Sequence, residues 1–155
     1  MTEPTTLRLG LIGDNIARSR SPLLHRLAGE QNGVDVTYDR LIPLELGLTF
    51  EAGVDRCALG GDRGINITYP YKERVVGRVT VAEPLVRAMG AVNTVIFGPD
   101  GPKGHNTDCS GFASAYRAAR GDRAPGNVLM IGAGGVGRAI AFALASLGMR
   151  ELRLA

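Results

Sequence analysis

The chain has 155 residues, 45% hydrophobic and 21% charged, so it is globular material rather than a disordered or fibrous sequence. Its length suits one domain, or one domain with part of a second. The net charge of +3 is small and the arginines are scattered, which argues against nucleic acid, and no apolar run could act as a leader or span a bilayer. We therefore expect no nucleic-acid partner, no membrane association and a cytoplasmic location.

The first half of the chain alternates between strands and helices. Apolar and β-branched runs predict strands over 7–12, 36–41 and 64–68. After the first strand, Ser21 is expected to cap a helix that has Pro22 at its first position and runs to about Asn32, with Gly33 ending it. A second helix is expected over roughly 44–58.

The second half continues the alternation. Strands are expected over 91–97, 103–106, 127–131 and 151–155. Helices are expected over 70–76, 82–89, 110–120 and 138–147. The turn Gly98–Gly101 joins the first two of these strands as an antiparallel hairpin. Alternating β and α elements argue for an α/β fold with a largely parallel sheet, to which the hairpin adds an antiparallel pair.

The segment Gly64–Lys72 places a lysine soon after a strand. Lys72 is expected on the first turn of a helix begun by Pro70, where the helix dipole disfavours an ammonium. Such a lysine loses its proton more easily than a surface lysine, as a general base near neutral pH requires. The chain has only two lysines, Lys72 and Lys103, against sixteen arginines, which favours a specific use. The alternative is a solvated lysine at a helix start.

The loop Gly132–Gly137 follows an apolar strand and opens a helix, an order typical of a dinucleotide site. Gly132 permits the tight turn, Gly134 lets the backbone approach a pyrophosphate, and Gly137 allows close packing of helix and strand. The helix N-terminus supplies unpaired N–H groups and the positive end of a dipole. The alternative is a glycine-rich turn without a ligand.

The residue that chooses between NAD and NADP is expected about 20 positions beyond this loop. The chain ends at Ala155, within the second strand of the unit. The choice therefore depends on a position at or beyond the last residue, and we expect the chain to be a fragment of a longer enzyme.

Three polar clusters lie at ends or interruptions of strands, where open α/β sheets collect ligand groups. Capping explains Ser21 but not Ser19. Asn93 is expected inside a strand, where asparagine is disfavoured. Asp108 follows a strand and either caps the next helix or serves a site. Together these groups predict a pocket for a small polyhydroxylated molecule. The two cysteines do not have the spacing of metal ligands, so no metal is expected.

Five motifs occur in order along the chain: Ser19–Pro22, Asn66–Lys72, Gly90–Thr94, Gly104–Asp108 and Gly132–Gly137. Together they resemble the shikimate/quinate dehydrogenase family. With Tyr69 and Tyr71 in the second motif, the chain looks closer to the quinate/shikimate branch than to the biosynthetic shikimate enzymes.

The resemblance implies a particular domain organisation. An N-terminal substrate-binding α/β domain would cover residues 1–108, and a connecting helix and linker would cover 109–126. Residues 127–155 would then form the start of a Rossmann dinucleotide-binding domain.

The resemblance also implies an oxidoreductase of aromatic amino acid biosynthesis that uses NAD or NADP. It would interconvert shikimate and 3-dehydroshikimate, or quinate and 3-dehydroquinate, by hydride transfer, and it would allow a homodimer. The alternative is a truncated, non-catalytic fragment that at most binds the substrate.

The roles of individual residues follow from the same resemblance. Lys72 and Asp108 would be the catalytic pair, and Ser19 and Ser21 would bind the substrate carboxylate. The ring hydroxyls would contact Thr68, Asn93, Lys72 and Asp108. The cofactor pyrophosphate would contact Gly132, Ala133, Gly134, Gly135 and Val136.

Overall fold

The structure, a computed structural model, describes residues 6–155. Residues 1–5, with which the expected first domain begins, lie outside the described residues. The described chain forms a mixed five-stranded sheet flanked by helices, followed by a two-stranded parallel sheet.

Five strands build the first sheet: β1 Leu7–Ile12, β2 Val36–Leu41, β3 Gly64–Ile67, β4 Thr94–Gly98 and β5 Gly101–His105. Their order is β2-β1-β3-β4-β5. The pairs β1–β2 and β1–β3 are parallel, whereas β3–β4 and β4–β5 are antiparallel. The α/β class and the added antiparallel hairpin are thus confirmed.

Helices connect these strands and lead into the second sheet: α1 Ser21–Gln31, α2 Phe50–Leu59, a 3-10 helix Arg74–Arg78, α3 Pro84–Met89, α4 Thr107–Arg120 and α5 Gly135–Ser146. The expected helix over 44–58 was wrong at its start. Thr49 caps α2, its hydroxyl accepting from the Ala52 N–H at 3.1 Å, and the preceding residues form a turn. Within residues 6–155, no helix is long and apolar enough to cross a bilayer.

The main core lies between the sheet and α2. Adjacent residues of a strand face opposite sides, so Ile12 joins this core while Leu11 packs on the other face with Ile16 and Tyr38. Each large aliphatic side chain buried in this way contributes about 1.5–3 kcal/mol relative to exposure. The sheet is therefore held chiefly from the α2 side.

The second sheet pairs β6 Asn127–Met130 with β7 Glu151–Leu154 in parallel, with α5 between them in sequence. Helix α4 packs on α5 through small buried side chains that allow close approach: Ala113, Ala139 and Ala143. Several large apolar residues on and beside β6 are exposed, among them Leu129 at 66% and Ile131 at 84%. This region therefore has an open apolar face.

The helix expected over 70–76 was wrong. Residues 69–73 form turns around a cis Tyr69–Pro70 peptide, and the 3-10 helix begins only at Arg74. The carbonyls that a helix would need are used elsewhere, because Tyr69 O accepts from the Asp14 N–H at 3.1 Å and Lys72 O accepts from the Val92 N–H at 2.8 Å. Lys72 is consequently not on a helix, and the dipole argument for it does not apply.

Helix α4 begins earlier than the expected 110–120, because Asn106 caps it. The Asn106 Oδ1 accepts from the N–H groups of Asp108 and Cys109, at 3.1 and 3.2 Å. Its Nδ2 donates to the buried Ala91 carbonyl at 2.9 Å. Asp108 is therefore not the cap, and its carboxylate is available for another contact.

We predict that Asn106→Ala destabilises the protein by about 2–3 kcal/mol, because it removes a helix cap and leaves the buried Ala91 carbonyl without its donor. Urea unfolding measures the change. Asn32→Ala is the matched control, since the Asn32 amide makes one exposed bond to Ala28 O; it should cost less than about 0.5 kcal/mol. Equal losses in the two variants would contradict the capping argument.

Candidate functional site

Lys72 and Asp108 form an ion pair at the carboxyl edge of the first sheet. The Lys72 Nζ donates to the Asp108 Oδ2 at 2.6 Å, and the two side chains are 14% and 28% exposed. Asp108 lies in the first turn of α4, where a carboxylate is favoured by the helix dipole. A partly buried ammonium is thus held at a fixed position that solvent and a small ligand can still reach.

The cavity beside this pair joins the expected substrate and cofactor residues. It has a volume of about 270 Å3 and is lined by Thr68, Tyr69, Pro70, Lys72, Glu73, Ala91, Gly135 and Val136. A Cβ added to Gly135 would stand 4.0 Å from the Lys72 Cδ. The glycine loop therefore reaches the lysine, and a reacting group at this position would contact both.

Thr68 has its place in the cavity because of a glycine that sequence reasoning missed. A Cβ on Gly13 would lie 2.3 Å from the Thr68 Cγ2 and 2.9 Å from the Ile16 Cγ2. Any side chain there would displace the threonine. The sequence did indicate this role, because Gly13 directly follows a strand, a position where glycine often allows a close approach of the backbone.

Asn93 lies just before β4 rather than inside it, which corrects the expectation for 91–97. Its Oδ1 accepts from the Thr107 N–H at 2.8 Å and from the Thr94 hydroxyl at 3.0 Å. Its Nδ2 donates to the Thr107 Oγ1 at 3.0 Å. This buried amide ties the start of β4 to the start of α4 and so sets the position of neighbouring Asp108.

Ser19 and Ser21 lie together before α1, but the expected capping was wrong. Arg20 is the N-cap residue and makes no side-chain cap bond. Instead, the Ser19 hydroxyl accepts from the Ser21 N–H at 3.2 Å and donates to the Ser21 Oγ at 3.1 Å. The Ser19 hydroxyl is therefore held by the first residue of α1, and the Ser21 hydroxyl accepts from Ser19.

Tyr38 is a further buried polar residue that sequence reasoning missed. It is 2% exposed, and its hydroxyl donates to the Asn66 Oδ1 at 2.7 Å. Burial raises the pKa of Tyr38 to about 12, although the nearby Ser21 hydroxyl offsets part of the increase. The phenol consequently stays protonated at neutral pH. An asparagine within the β3 motif was the available signal, because it needs a polar partner there.

The glycine loop has the geometry of an anion site. Gly132 has φ +86°, and Gly134 precedes α5 as its N-cap residue without a side-chain cap. A Cβ on Gly137 would lie 3.0 Å from Gly132 O, so the helix packs tightly on the turn. Residues 132–136 are exposed, and the first N–H groups of a helix have no intrahelical acceptor. These features fit a pyrophosphate.

The expected site residues therefore fall into two groups. Lys72, Thr68 and the loop residues Gly135 and Val136 line one cavity, and Asp108 is paired with Lys72 beside it. Ser19 and Ser21 hydrogen-bond to each other. A separate series of side-chain hydrogen bonds joins Tyr38 to Asn93 through Asn66 and Thr94.

The chain is similar to known proteins of one family. A family model described as the shikimate dehydrogenase substrate binding domain matches residues 11–95. A quinate/shikimate dehydrogenase (NAD(+)) of Corynebacterium efficiens is 37% identical over 97% of this chain and 54% of its own length. A shikimate dehydrogenase (NADP(+)) of Streptomyces avermitilis is 42% identical over 96% of this chain and 52% of its own length.

Among solved structures, quinate dehydrogenase from Corynebacterium glutamicum in complex with NAD superposes with a TM-score of 0.88 at 34% identity. The match covers 96% of this chain and 54% of that one. The chain thus spans about half the length of the relatives it matches. Because the matched residues 11–95 are more than half of its 155 residues, the chain belongs to the shikimate dehydrogenase family.

Proposed function

We propose that this chain belongs to an NAD- or NADP-dependent oxidoreductase that interconverts shikimate and 3-dehydroshikimate, or quinate and 3-dehydroquinate. The observation that carries the proposal is the Lys72–Asp108 pair, which stands beside a cavity shared with Gly135 and Val136. A proton acceptor and a dinucleotide loop at one cavity are what oxidation of an alcohol requires.

In the oxidation direction, Lys72 in its unprotonated form accepts the proton of the reacting hydroxyl. A nicotinamide, when bound, supplies the acceptor for the hydride that leaves the same carbon. Asp108 accepts a hydrogen bond from the Lys72 Nζ and so holds the base against the reacting hydroxyl. In the reverse direction, the Lys72 ammonium returns the proton to the carbonyl oxygen.

The remaining polar groups hold the substrate. Ser19 and Ser21 donate to its carboxylate, which accepts hydrogen bonds only. Thr68 and Asn93 contact the ring hydroxyls together with the catalytic pair. The positions of the two residues support these contacts, because Thr68 lines the cavity and Asn93 hydrogen-bonds Thr107, the residue next to Asp108.

The glycine loop is proposed to hold the cofactor pyrophosphate through Gly132, Ala133, Gly134, Gly135 and Val136. Exposed N–H groups at the start of α5 and the absence of a side-chain cap support this assignment. Both an NAD-dependent and an NADP-dependent relative resemble the chain, so the proposal covers both cofactors.

The proposed division is a substrate domain over 1–108, a connection over 109–126 and a dinucleotide-binding segment over 127–155. The separate hydrogen bonding of the two sheets and the family match within the first part support it. A homodimer is proposed as the assembly, and light scattering tests it.

The alternative is that these 155 residues bind the substrate without catalysing its oxidation. This alternative is supported by the coverage, because the chain spans only about half the length of these relatives. Calorimetry with shikimate and with quinate, followed by assay of NAD and NADP reduction, separates the two: binding without turnover supports the alternative.

Replacing Lys72 by alanine should lower kcat by about 10²–10⁴-fold, because a general base would be lost, while KM changes less. Lys72→Arg should fail almost as badly, since a guanidinium does not give up its proton at working pH. Steady-state kinetics with shikimate or quinate measures both variants.

The control for this prediction is Lys103→Ala. Lys103 is the second lysine of the chain and lies on β5, where its exposed ammonium contacts Asp100. Its replacement should leave kcat unchanged. If Lys72→Ala keeps most of the wild-type kcat, Lys72 has no part in the proton transfer.

Replacing both Ser19 and Ser21 by alanine should raise KM while kcat changes less, because a carboxylate contact is shared by the ground and transition states. Each hydrogen bond lost to a charged group is worth about 1.5–3 kcal/mol. Kinetics with saturating cofactor measures the change. An unaltered KM would assign the two serines a role in loop structure alone.

A further inference from the structure

Two segments beside the candidate site run side by side beyond the paired residues of β1 and β3. The Thr68 N–H donates to the Ile12 O at 2.9 Å, and the Asp14 N–H donates to the Tyr69 O at 3.1 Å. The parallel pairing of the two strands, which ends with Ile12 opposite Ile67, therefore continues into the turn that carries Lys72.

The backbone pairing cannot continue past this point, because the next donor would belong to residue 70 and Pro70 has no N–H. A side chain makes the next contact instead, since the Tyr71 hydroxyl donates to the Asp14 Oδ1 at 2.5 Å. Asp14 is thus bonded to the residues on both sides of Pro70, through its N–H and through its carboxylate. These two hydrogen bonds of Asp14, to Tyr69 and to Tyr71, form what we call the Asp14 clamp.

Tyr71 is a fixed partner for this clamp. The residue is 7% exposed, and its ring stacks on Phe50 with centroids 4.4 Å apart and an angle of 10° between the rings. The hydrogen bond to Asp14 and, to a smaller extent, burial raise the pKa of Tyr71, so the phenol keeps its hydrogen at neutral pH. A hydrogen bond that a carboxylate accepts is about twice as strong as a neutral one.

The clamp determines where the side chain of Lys72 begins. Lys72 follows Tyr71 directly, its carbonyl accepts from the Val92 N–H at 2.8 Å, and its Nζ donates to Asp108 at 2.6 Å. A shift of the turn would therefore move the ammonium or break its bond to Asp108. Displacing a catalytic group by about 1 Å can lower a rate by about 10²-fold.

We propose that Asp14 is a positioning residue that holds Lys72 in place for proton transfer through the Tyr71 hydroxyl. The proposal rests on the proposed function and deepens it by naming what fixes the backbone of its base. Within the described chain, neither Asp14 nor Tyr71 lines the cavity. Asp14 therefore acts through Lys72 and not on the substrate.

The test compares Asp14→Ala and Tyr71→Phe, each of which removes the side-chain bond of the clamp. Each should lower kcat for shikimate or quinate by about 5- to 50-fold while KM stays within about twofold, because the base is displaced and the substrate contacts remain. Asp14→Asn should keep kcat within about threefold of the wild type, since its amide oxygen still accepts from the phenol.

The matched control is Asp35→Ala. The Asp35 carboxylate also accepts a long-range hydrogen bond from a hydroxyl, that of Thr6 at 2.7 Å, but does so at the other end of β1. Its replacement should leave kcat unchanged. If Asp14→Ala and Tyr71→Phe lower the melting temperature and keep the wild-type kcat, the clamp has a structural role alone and the proposal is overturned.

A double-mutant cycle tests whether the two residues act through one bond. In an Asp14→Ala background, Tyr71→Phe should lower kcat by less than about twofold, because its acceptor is already gone. Losses that multiply in the double variant would overturn the proposal.

Amide hydrogen exchange tests the clamp without an activity assay. In Tyr71→Phe, the Val92 N–H that bonds Lys72 O should exchange at least about tenfold faster, whereas the Phe97 N–H, bonded to Arg63 O at 3.0 Å, should keep its rate. If Tyr71→Phe does not fold, Asp14→Ala is measured with the same expected result. An unchanged rate for Val92 would overturn the proposal.

The two levels of the argument fail in different ways. A wild-type protein that neither binds nor oxidises shikimate or quinate removes the proposed function itself. An active wild type whose kcat is the same in Asp14→Ala and Tyr71→Phe removes only the role of Asp14.

Discussion

The ion pair between Lys72 and Asp108 depends on the order and direction of the strands. Strands β3 and β5 run the same way because the antiparallel β4 lies between them. Their carboxyl ends therefore meet at one edge, and the segments that follow, with Lys72 after β3 and Asp108 after β5, come within 2.6 Å. Two antiparallel strand pairings thus bring together two side chains that are 36 positions apart in the sequence.

The neutral amide side chains around this ion pair hold the start of α4 in place, so the charged side chains are not needed for that purpose. Asn106 supplies the cap of α4, so the Asp108 carboxylate is not consumed by the backbone. Asn93 binds Thr107 through both ends of its amide, which fixes the first turn of the same helix. Because buried amides carry no net charge, they can hold this position without the desolvation cost of an ion.

Two glycines shape the candidate site because they have no side chain. Gly13 leaves the room that Thr68 occupies, and Gly135 lets the start of α5 come against the stem of Lys72. Neither position requires a positive φ, so close approach rather than backbone conformation is the reason for glycine there. The absence of a side chain at Gly135 thus allows the start of α5 to line the same cavity as Lys72.

The sequence by itself determined the strands, the hairpin and the glycine loop, because apolar alternation and turn residues act over a few neighbouring positions. It also indicated Lys72 and Asp108, through motifs that resemble a family. Only the tertiary structure decided the 69–73 turn, since the Tyr69 and Lys72 carbonyls accept from Asp14 and Val92, distant segments that local propensity does not include. It likewise decided the place of Tyr38, which reads as an ordinary strand residue until folding brings β1, β2 and β3 side by side and its hydroxyl meets Asn66.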